Sequence, residues 1–320
     1  MFKANFSKEN RNIFGREAIV VNIPGHYSLR DTMECGQCFR YELIRDDGEI
    51  TEYIIPVGSV LINVGQTKPG EIIFFGLSDE DFENIARPYF TLDTDYEAIC
   101  RDIIKRTDSE WLKSAAECAR GIAILKQDPW ETLFSFIISQ NNNIPRIRKI
   151  IREISSAYGV NISLQNRAAK CPANKIDGTP CEEKCKKCGI CYTFPTCADV
   201  IKNPEAMLPS HPGFRYRYLL DAAEKVHTGA VDLEKIANAA SYDVTLENLM
   251  QIIGVGEKVA ACCALFGFAN LEAFPIDVWM KRAINDYFDG KLDPKDLGPY
   301  AGVAQQYIFH YIRNIESKQK

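Results

Sequence analysis

The sequence predicts an α+β protein, with an N-terminal antiparallel sheet packed on a helical domain. Three observations carry that expectation. Residues 17–75 contain IVVNI, CFRYELI and EYIIPVGSVLINV, runs rich in β-branched and aromatic residues. From about residue 79 the apolar spacing becomes helical and stays so for most of the chain. An apolar helix near 249 meets a second one across a Gly-Val-Gly turn, which reads as a helix–hairpin–helix.

Within the sheet region, Phe39, Tyr41 and Leu43 alternate with polar neighbours, and Asp47-Gly48 marks a hairpin turn. Helices are expected over 79–88, 94–105 and 109–123. Asp128-Pro129 opens the strongly apolar helix WETLFSFIISQ. Pro145 starts another, with Ile147, Ile150, Ile151 and Ile154 on one face. Residues 158–213, dense in Pro, Gly, Asn and Cys, read as irregular. Helices resume over 214–227, 231–240, 244–253, 257–268, 277–288 and 298–316. These elements divide the chain into a sheet domain over 1–120 and a helical domain over 121–320, with a cysteine-rich insertion at about 168–198.

The chain has 320 residues, 46% of them hydrophobic, enough for one large core or two smaller ones. No apolar run approaches the roughly 20 residues that span a bilayer. The start, MFKANFSKENRN, lacks the apolar stretch of a signal peptide, so a cytoplasmic location is expected. The net charge of −5 weighs against a uniformly basic nucleic-acid binder. Its distribution is uneven, however. Segment 79–97 is acid-rich, whereas IPRIRKIIR (144–152) carries Arg146, Arg148, Lys149 and Arg152 with no acid. A DNA-facing surface is compatible with an acidic back.

Chemistry concentrates around the Gly-Val-Gly turn. Gly254 and Gly256 permit positive φ and close backbone approach, and the N–H groups that begin the following helix suit a phosphate. Lys258 lies in that helix's first turn, with Cys262 one turn on along the same face. Asp277 follows Phe-Pro-Ile at the start of the next helix. The ordinary readings are a solvated lysine and a capping aspartate. The functional reading is an amine nucleophile facing a carboxylate that stabilises cationic sugar character.

GVGEKVA…FPIDVW resembles the helix–hairpin–helix DNA glycosylases of the 8-oxoguanine DNA glycosylase/AP lyase type. ECGQCFRY (34–41) is similar to that family's N-terminal Gly-Gln-x-Phe-Arg strand, LFSFIISQNNNIPRI (133–147) to its Asn-Asn-Asn helix junction, and GPYAGVAQQYIF (298–309) to its C-terminal recognition helix. The resemblance implies a sheet domain joined to a helical domain. It also implies an enzyme that extrudes oxidised guanine from double-stranded DNA, opposite cytosine, as a monomer needing no cofactor for catalysis. It assigns the nucleophile to Lys258 and the catalytic carboxylate to Asp277. The Gly36 carbonyl accepts from N7–H of the oxidised base, Gln305 meets its Watson–Crick edge, and Cys262 and Phe309 sandwich it. Asn141, Arg146 and Arg215 face the orphaned cytosine, and Phe214 is the wedge. Two positions depart from the pattern, with Phe214 replacing a tyrosine and Trp279 a histidine. Rival readings are a monofunctional glycosylase for alkylated bases on the same fold and a non-catalytic DNA-binding module.

Six of the 12 cysteines lie between 171 and 197. The spacings of Cys181, Cys185, Cys188, Cys191 and Cys197 suit a structural metal, either Zn²⁺ or a [4Fe–4S] cluster, with metal-free thiols as the alternative. Cys35/Cys38 and Cys262/Cys263 read as packing pairs. The four histidines are isolated, which leaves no open catalytic metal site in the sequence.

Overall fold

The computed structural model describes residues 1–162, 189–239 and 241–318. Six strands form one antiparallel sheet: β1 (Ser7–Ile13), β2 (Arg16–Asn22), β3 (Glu42–Asp46), β4 (Thr51–Val57), β5 (Val60–Gln66) and β6 (Glu71–Phe75). Their order is β1-β2-β6-β5-β4-β3. The Asp47-Gly48 turn joins β3 to β4. Asp47 accepts from the backbone N–H groups of Glu49 and Ile50 at 3.1 and 3.2 Å, and Gly48 takes a φ of +85°.

Both faces of the sheet are covered, so its central strands read as apolar runs without alternation. Ile19, Val21, Tyr53, Ile55, Ile72 and Phe74 enter the main core with the helices. Ala18, Val20, Ile50, Ile73 and Phe75 form a thin cluster on the other face. Arg16 closes that cluster, lying 3.6 Å over the Phe75 ring and paired with the buried Glu52 carboxylate at 2.7 Å.

The sequence expectation fails locally in four places. β1, SKENRNI, is a polar edge strand whose residues are mostly exposed, so no apolar alternation marks it. Helix α1 (Leu29–Glu34) interrupts the sheet region, started by Ser28 accepting from Asp31 N. The predicted strand 34–41 is a loop, and Leu43 lies exposed on the edge strand β3, whose register with β4 shifts between Leu43 and Arg45. The segment read as irregular contains α6 (Cys197–Lys202), with a Thr196–Asp199 capping box, and a 3-10 turn at Pro204–Ser210.

The remaining long helices are α2 (Tyr96–Arg106), α3 (Glu110–Ala119), α4 (Pro129–Ser139), α5 (Ile144–Tyr158), α7 (Tyr216–His227), α8 (Leu233–Ala237), α9 (Tyr242–Leu249), α10 (Glu257–Phe266), α11 (Val278–Phe288) and α12 (Ala301–Lys318). α12 begins three residues later than the pattern implied, because Gly298 adopts φ 71° and ψ −153° ahead of Pro299. α10 is the central rod. Every residue from Val259 to Phe266 is buried, and Phe266 stacks on Phe136 of α4 with ring centroids 5.5 Å apart. Among the described residues no helix is long and apolar enough to cross a membrane.

The loop at 35–41 replaces sheet hydrogen bonds with side-chain ones. Gln37 is fully buried and donates to Thr32 O and Ala123 O at 2.8 Å each, while its Oε1 accepts from Leu125 N at 2.8 Å. Arg40, also buried, pairs with Glu131 of α4 at 2.9 Å and donates to Tyr192 O. Phe39 packs edge-on against Phe136. The loop is thus riveted to α4 and to the segment 123–127 that leads into it. Truncating Gln37 to Ala strands three buried backbone groups, and we expect a loss of about 3 kcal/mol by chemical denaturation. A loss under about 1 kcal/mol would mean that water replaces the carboxamide.

Candidate active site

A cleft of about 780 Å³ opens between the Gly36 loop, the α4–α5 junction, the start of α10 and α12. Gly36, Asn141, Gly256, Lys258, Cys262, Asp277, Gln305 and Phe309 all line it. Arg146, Phe214, Arg215 and Gly254 stand outside its lining.

The two hairpin glycines do different jobs. Gly254 has a φ of +79°, and a Cβ there would fall 2.4 Å from the Tyr218 ring, so only glycine fits. At Gly256 a Cβ would meet nothing within 4 Å. Gly256 caps α10 without a side-chain hydrogen bond, so the helix's first N–H groups stay open to an approaching anion.

Lys258 sits in the first turn of α10 with its Nζ 3.4 Å from Ser139 Oγ and 5.1 Å from the centroid of Phe136. Val259, Cys262 and Phe266 of the same helix also line the cleft but are buried, so the first turn is where α10 brings a charge to it. Asp277 is the N-cap of α11, and its carboxylate accepts from Met280 N at 2.8 Å. The carboxylate is held by its own helix and makes no ion pair with the lysine. Both charges act on Cys262. Burial pushes that thiol up to about 11, Lys258 pulls it down and Asp277 pushes it up. At neutral pH the sulfur is an uncharged, apolar wall of the cleft.

Across the cleft, Gly36 adopts a φ of +93°, and its Cβ position lies 3.7 Å from Phe309 Cε1 and from Ile144 Cδ1. Glycine is therefore favoured by the backbone conformation, while a Cβ would make only ordinary contact with the Phe309 ring. Gln305 and Gln306 are both buried in α12, and Gln306 Nε2 donates to Gln305 Oε1 at 2.7 Å.

The flanking residues form a second cluster. Arg215 is 3% exposed; its Nε donates to Gln140 O at 2.8 Å and an Nη to Asn141 O at 3.0 Å. It props Asn141 in the left-handed conformation at φ 47°. Its guanidinium also lies 4.4 Å over the ring of Phe214, which is 47% exposed. Burial, then the neighbouring Arg146, lowers the Arg215 pKa. Among the described residues neither Arg146 nor Arg215 forms an ion pair with a carboxylate. The basic face expected of α5 is narrower than its sequence, because Arg148 and Arg152 both turn to Glu42. Ser139, Phe136, Gln306 and Arg313 also line the cleft. Helical periodicity gave no sign of them, since each reads as an ordinary core or surface position.

Cys181, Cys185 and Cys188 lie outside the described residues. Cys191 is buried in an apolar cluster with Ile54, Leu61 and Ile162, and Cys197 begins α6. Among the described residues no group of three or more His, Cys, Asp or Glu is placed to hold a metal.

A family model described as the 8-oxoguanine DNA glycosylase N-terminal domain matches residues 20–133. The N-glycosylase/DNA lyase of Saccharomyces cerevisiae is 27% identical over 287 residues, spanning 81% of this chain and 68% of its own. The solved structure of MBOgg1 with a low-affinity DNA ligand is 31% identical, covers 98% of this chain and 99% of its own, and superposes with a TM-score of 0.79. The chain belongs to the 8-oxoguanine DNA glycosylase family. A further solved structure, the Clostridium acetobutylicum 8-oxoguanine glycosylase/lyase in complex with dsDNA containing cytosine opposite to 8-oxoG, is 29% identical, covers 99% of this chain and 100% of its own, and has a TM-score of 0.78. The Archaeoglobus fulgidus 3-methyladenine DNA glycosylase, 16% identical with a TM-score of 0.65, shares the fold alone.

In this member of the 8-oxoguanine DNA glycosylase family, the Cys262 wall is expected to be chemically quiet. At pH 8, iodoacetamide followed by peptide mass spectrometry should modify the exposed Cys118 well before Cys262. Equal or faster modification of Cys262 would show a reactive thiolate in the cleft.

Proposed function

We propose that this chain is a bifunctional DNA glycosylase/AP lyase that excises 8-oxoguanine paired with cytosine in duplex DNA. The observation that carries the reading is the Lys258 amine, lining a cleft that the Asp277 carboxylate lines as well, with no ion pair between them. That arrangement favours it over a monofunctional enzyme for alkylated bases, in which a carboxylate alone would activate water. It also favours it over a binding module, which needs neither group.

In this scheme the uncapped start of α10 and Gly256 hold a backbone phosphate. Phe214 enters the stack, with Arg146, Arg215 and Asn141 at the orphaned cytosine. The extruded base lies between Cys262 and Phe309. The Gly36 carbonyl accepts from its N7–H, a hydrogen that unmodified guanine lacks. Unmodified guanine would set a lone pair against a carbonyl there, and a buried mismatch of that kind discriminates strongly.

Lys258 Nζ forms a bond to C1′ as the glycosidic C–N bond breaks, with Asp277 stabilising the cationic character on the sugar. Ring opening turns the adduct into a Schiff base. Loss of a C2′ proton then expels the 3′ phosphate by β-elimination, and water releases the lysine. Lys258 attacks as the free amine, and its Nζ lies 3.4 Å from the Ser139 hydroxyl.

Borohydride trapping on an 8-oxoguanine:C duplex tests the scheme. The intact chain should give a covalent adduct that disappears in Lys258→Gln. Asp277→Asn should slow excision by about 100-fold while binding of the duplex persists. A folded chain that gives no adduct overturns the lysine mechanism.

A further inference from the structure

α12 contributes two adjacent glutamines to the cleft, and the family resemblance gives a role only to Gln305. Gln306 is 4% exposed and lines the cleft, and its Oε1 is buried with no hydrogen-bond partner among the described residues. A buried carbonyl oxygen left unmade costs about 1–3 kcal/mol, so an occupant of the cleft that supplies an N–H would recover that cost. The other end of the same carboxamide is committed, since its Nε2 donates to Gln305 Oε1 at 2.7 Å.

That bond has a consequence for Gln305. It uses one of the two lone pairs of Gln305 Oε1 and leaves the second for a ligand. The Nε2 of Gln305 has no protein partner among the described residues and is free to donate. The pair therefore carries one donor and two acceptors with capacity left: Gln305 Nε2, Gln305 Oε1 and Gln306 Oε1. Cytosine presents the same complement of groups to guanine. The complementary edge is an acceptor followed by two donors, which a guanine-type base supplies with O6, N1–H and the 2-amino group. An adenine-type edge places an acceptor at N1 and does not match.

We propose that Gln306 is a second specificity-determining residue, whose Oε1 accepts from the 2-amino group of the extruded base while its Nε2 holds Gln305 in the reading orientation. Gln305 and Gln306 together take the place of the cytosine that the base has left. The inference rests on the reading of the cleft as a pocket for 8-oxoguanine. It assigns the exocyclic amine, which distinguishes 8-oxoguanine from 8-oxohypoxanthine, to a residue of this chain.

The test is single-turnover excision of 8-oxoguanine and of 8-oxohypoxanthine, each opposite cytosine, by the intact chain and by Gln306→Met and Gln306→Ala. 8-Oxohypoxanthine has the same O6 and N1–H but lacks the 2-amino group. The intact chain should prefer 8-oxoguanine by about tenfold or more. In Gln306→Met, which keeps the side-chain volume, that preference should collapse toward one, with most of the loss on 8-oxoguanine. A purely structural role would slow both substrates equally and leave the ratio intact, and that result overturns the proposal. So does an intact chain that excises both bases at the same rate. Affinity for a duplex with a tetrahydrofuran abasic analogue, which has no base to read, should be unchanged in a folded variant. If Gln306→Met loses that affinity, the ratio in Gln306→Ala decides. Failure of the intact chain to excise 8-oxoguanine at all would instead overturn the functional reading itself.

Discussion

A single buried carboxamide sets the geometry on which the cleft depends. Gln37 uses both hydrogens and its oxygen on three separate backbone groups, and its own carbonyl accepts from Gln127 Nε2. These bonds tie the Gly36 loop to residues 123–127, the segment that feeds directly into α4. With Arg40 clamped to Glu131 of the same helix, the loop cannot shift without breaking buried polar contacts. Gly36 is thereby held against Phe309, although the two come from opposite ends of the chain. Burial pushes the Glu131 carboxyl up and Arg40 draws it back down, as expected for a charge pair at the join of two layers.

The second constraint is the burial of α10. A helix enclosed from Val259 onward offers the cleft apolar walls, Cys262 among them, and brings a charge to it at its first turn, where the amide N–H groups are also unsatisfied. Lys258 and the open helix end thus fall at one place. The amine and the anion-binding amides are positioned by the same packing that builds the core. α4 supplies the floor through Phe136 and Ser139, and its own burial against α10 keeps that floor rigid.

Much of this was legible in the sequence. The Gly-Val-Gly turn, the capping aspartate, the apolar α4 and the sheet with its Asp47-Gly48 hairpin all follow from local patterns. The illegible parts share a cause: they depend on partners far away in the chain. The 35–41 stretch alternates like a strand, yet its hydrogen bonds are taken by Gln37 and by residues 86 or more positions distant. β1 is polar because it is an edge. Arg148 and Arg152 read as a DNA-facing charge, but Glu42 claims both. Gln306 reads as an ordinary polar helix residue until its burial is seen.

Arg215 holds the α4–α5 junction by giving its guanidinium hydrogens to Gln140, Asn141 and Pro212 carbonyls. Those bonds use four of the five guanidinium N–H groups and leave one Nη1 hydrogen over. An acceptor that takes this hydrogen leaves every carbonyl bond in place, and the left-handed turn at Asn141 keeps its support. Bracing and contact fall to different hydrogens of one guanidinium, so the junction is set before anything meets it and is not rebuilt on contact.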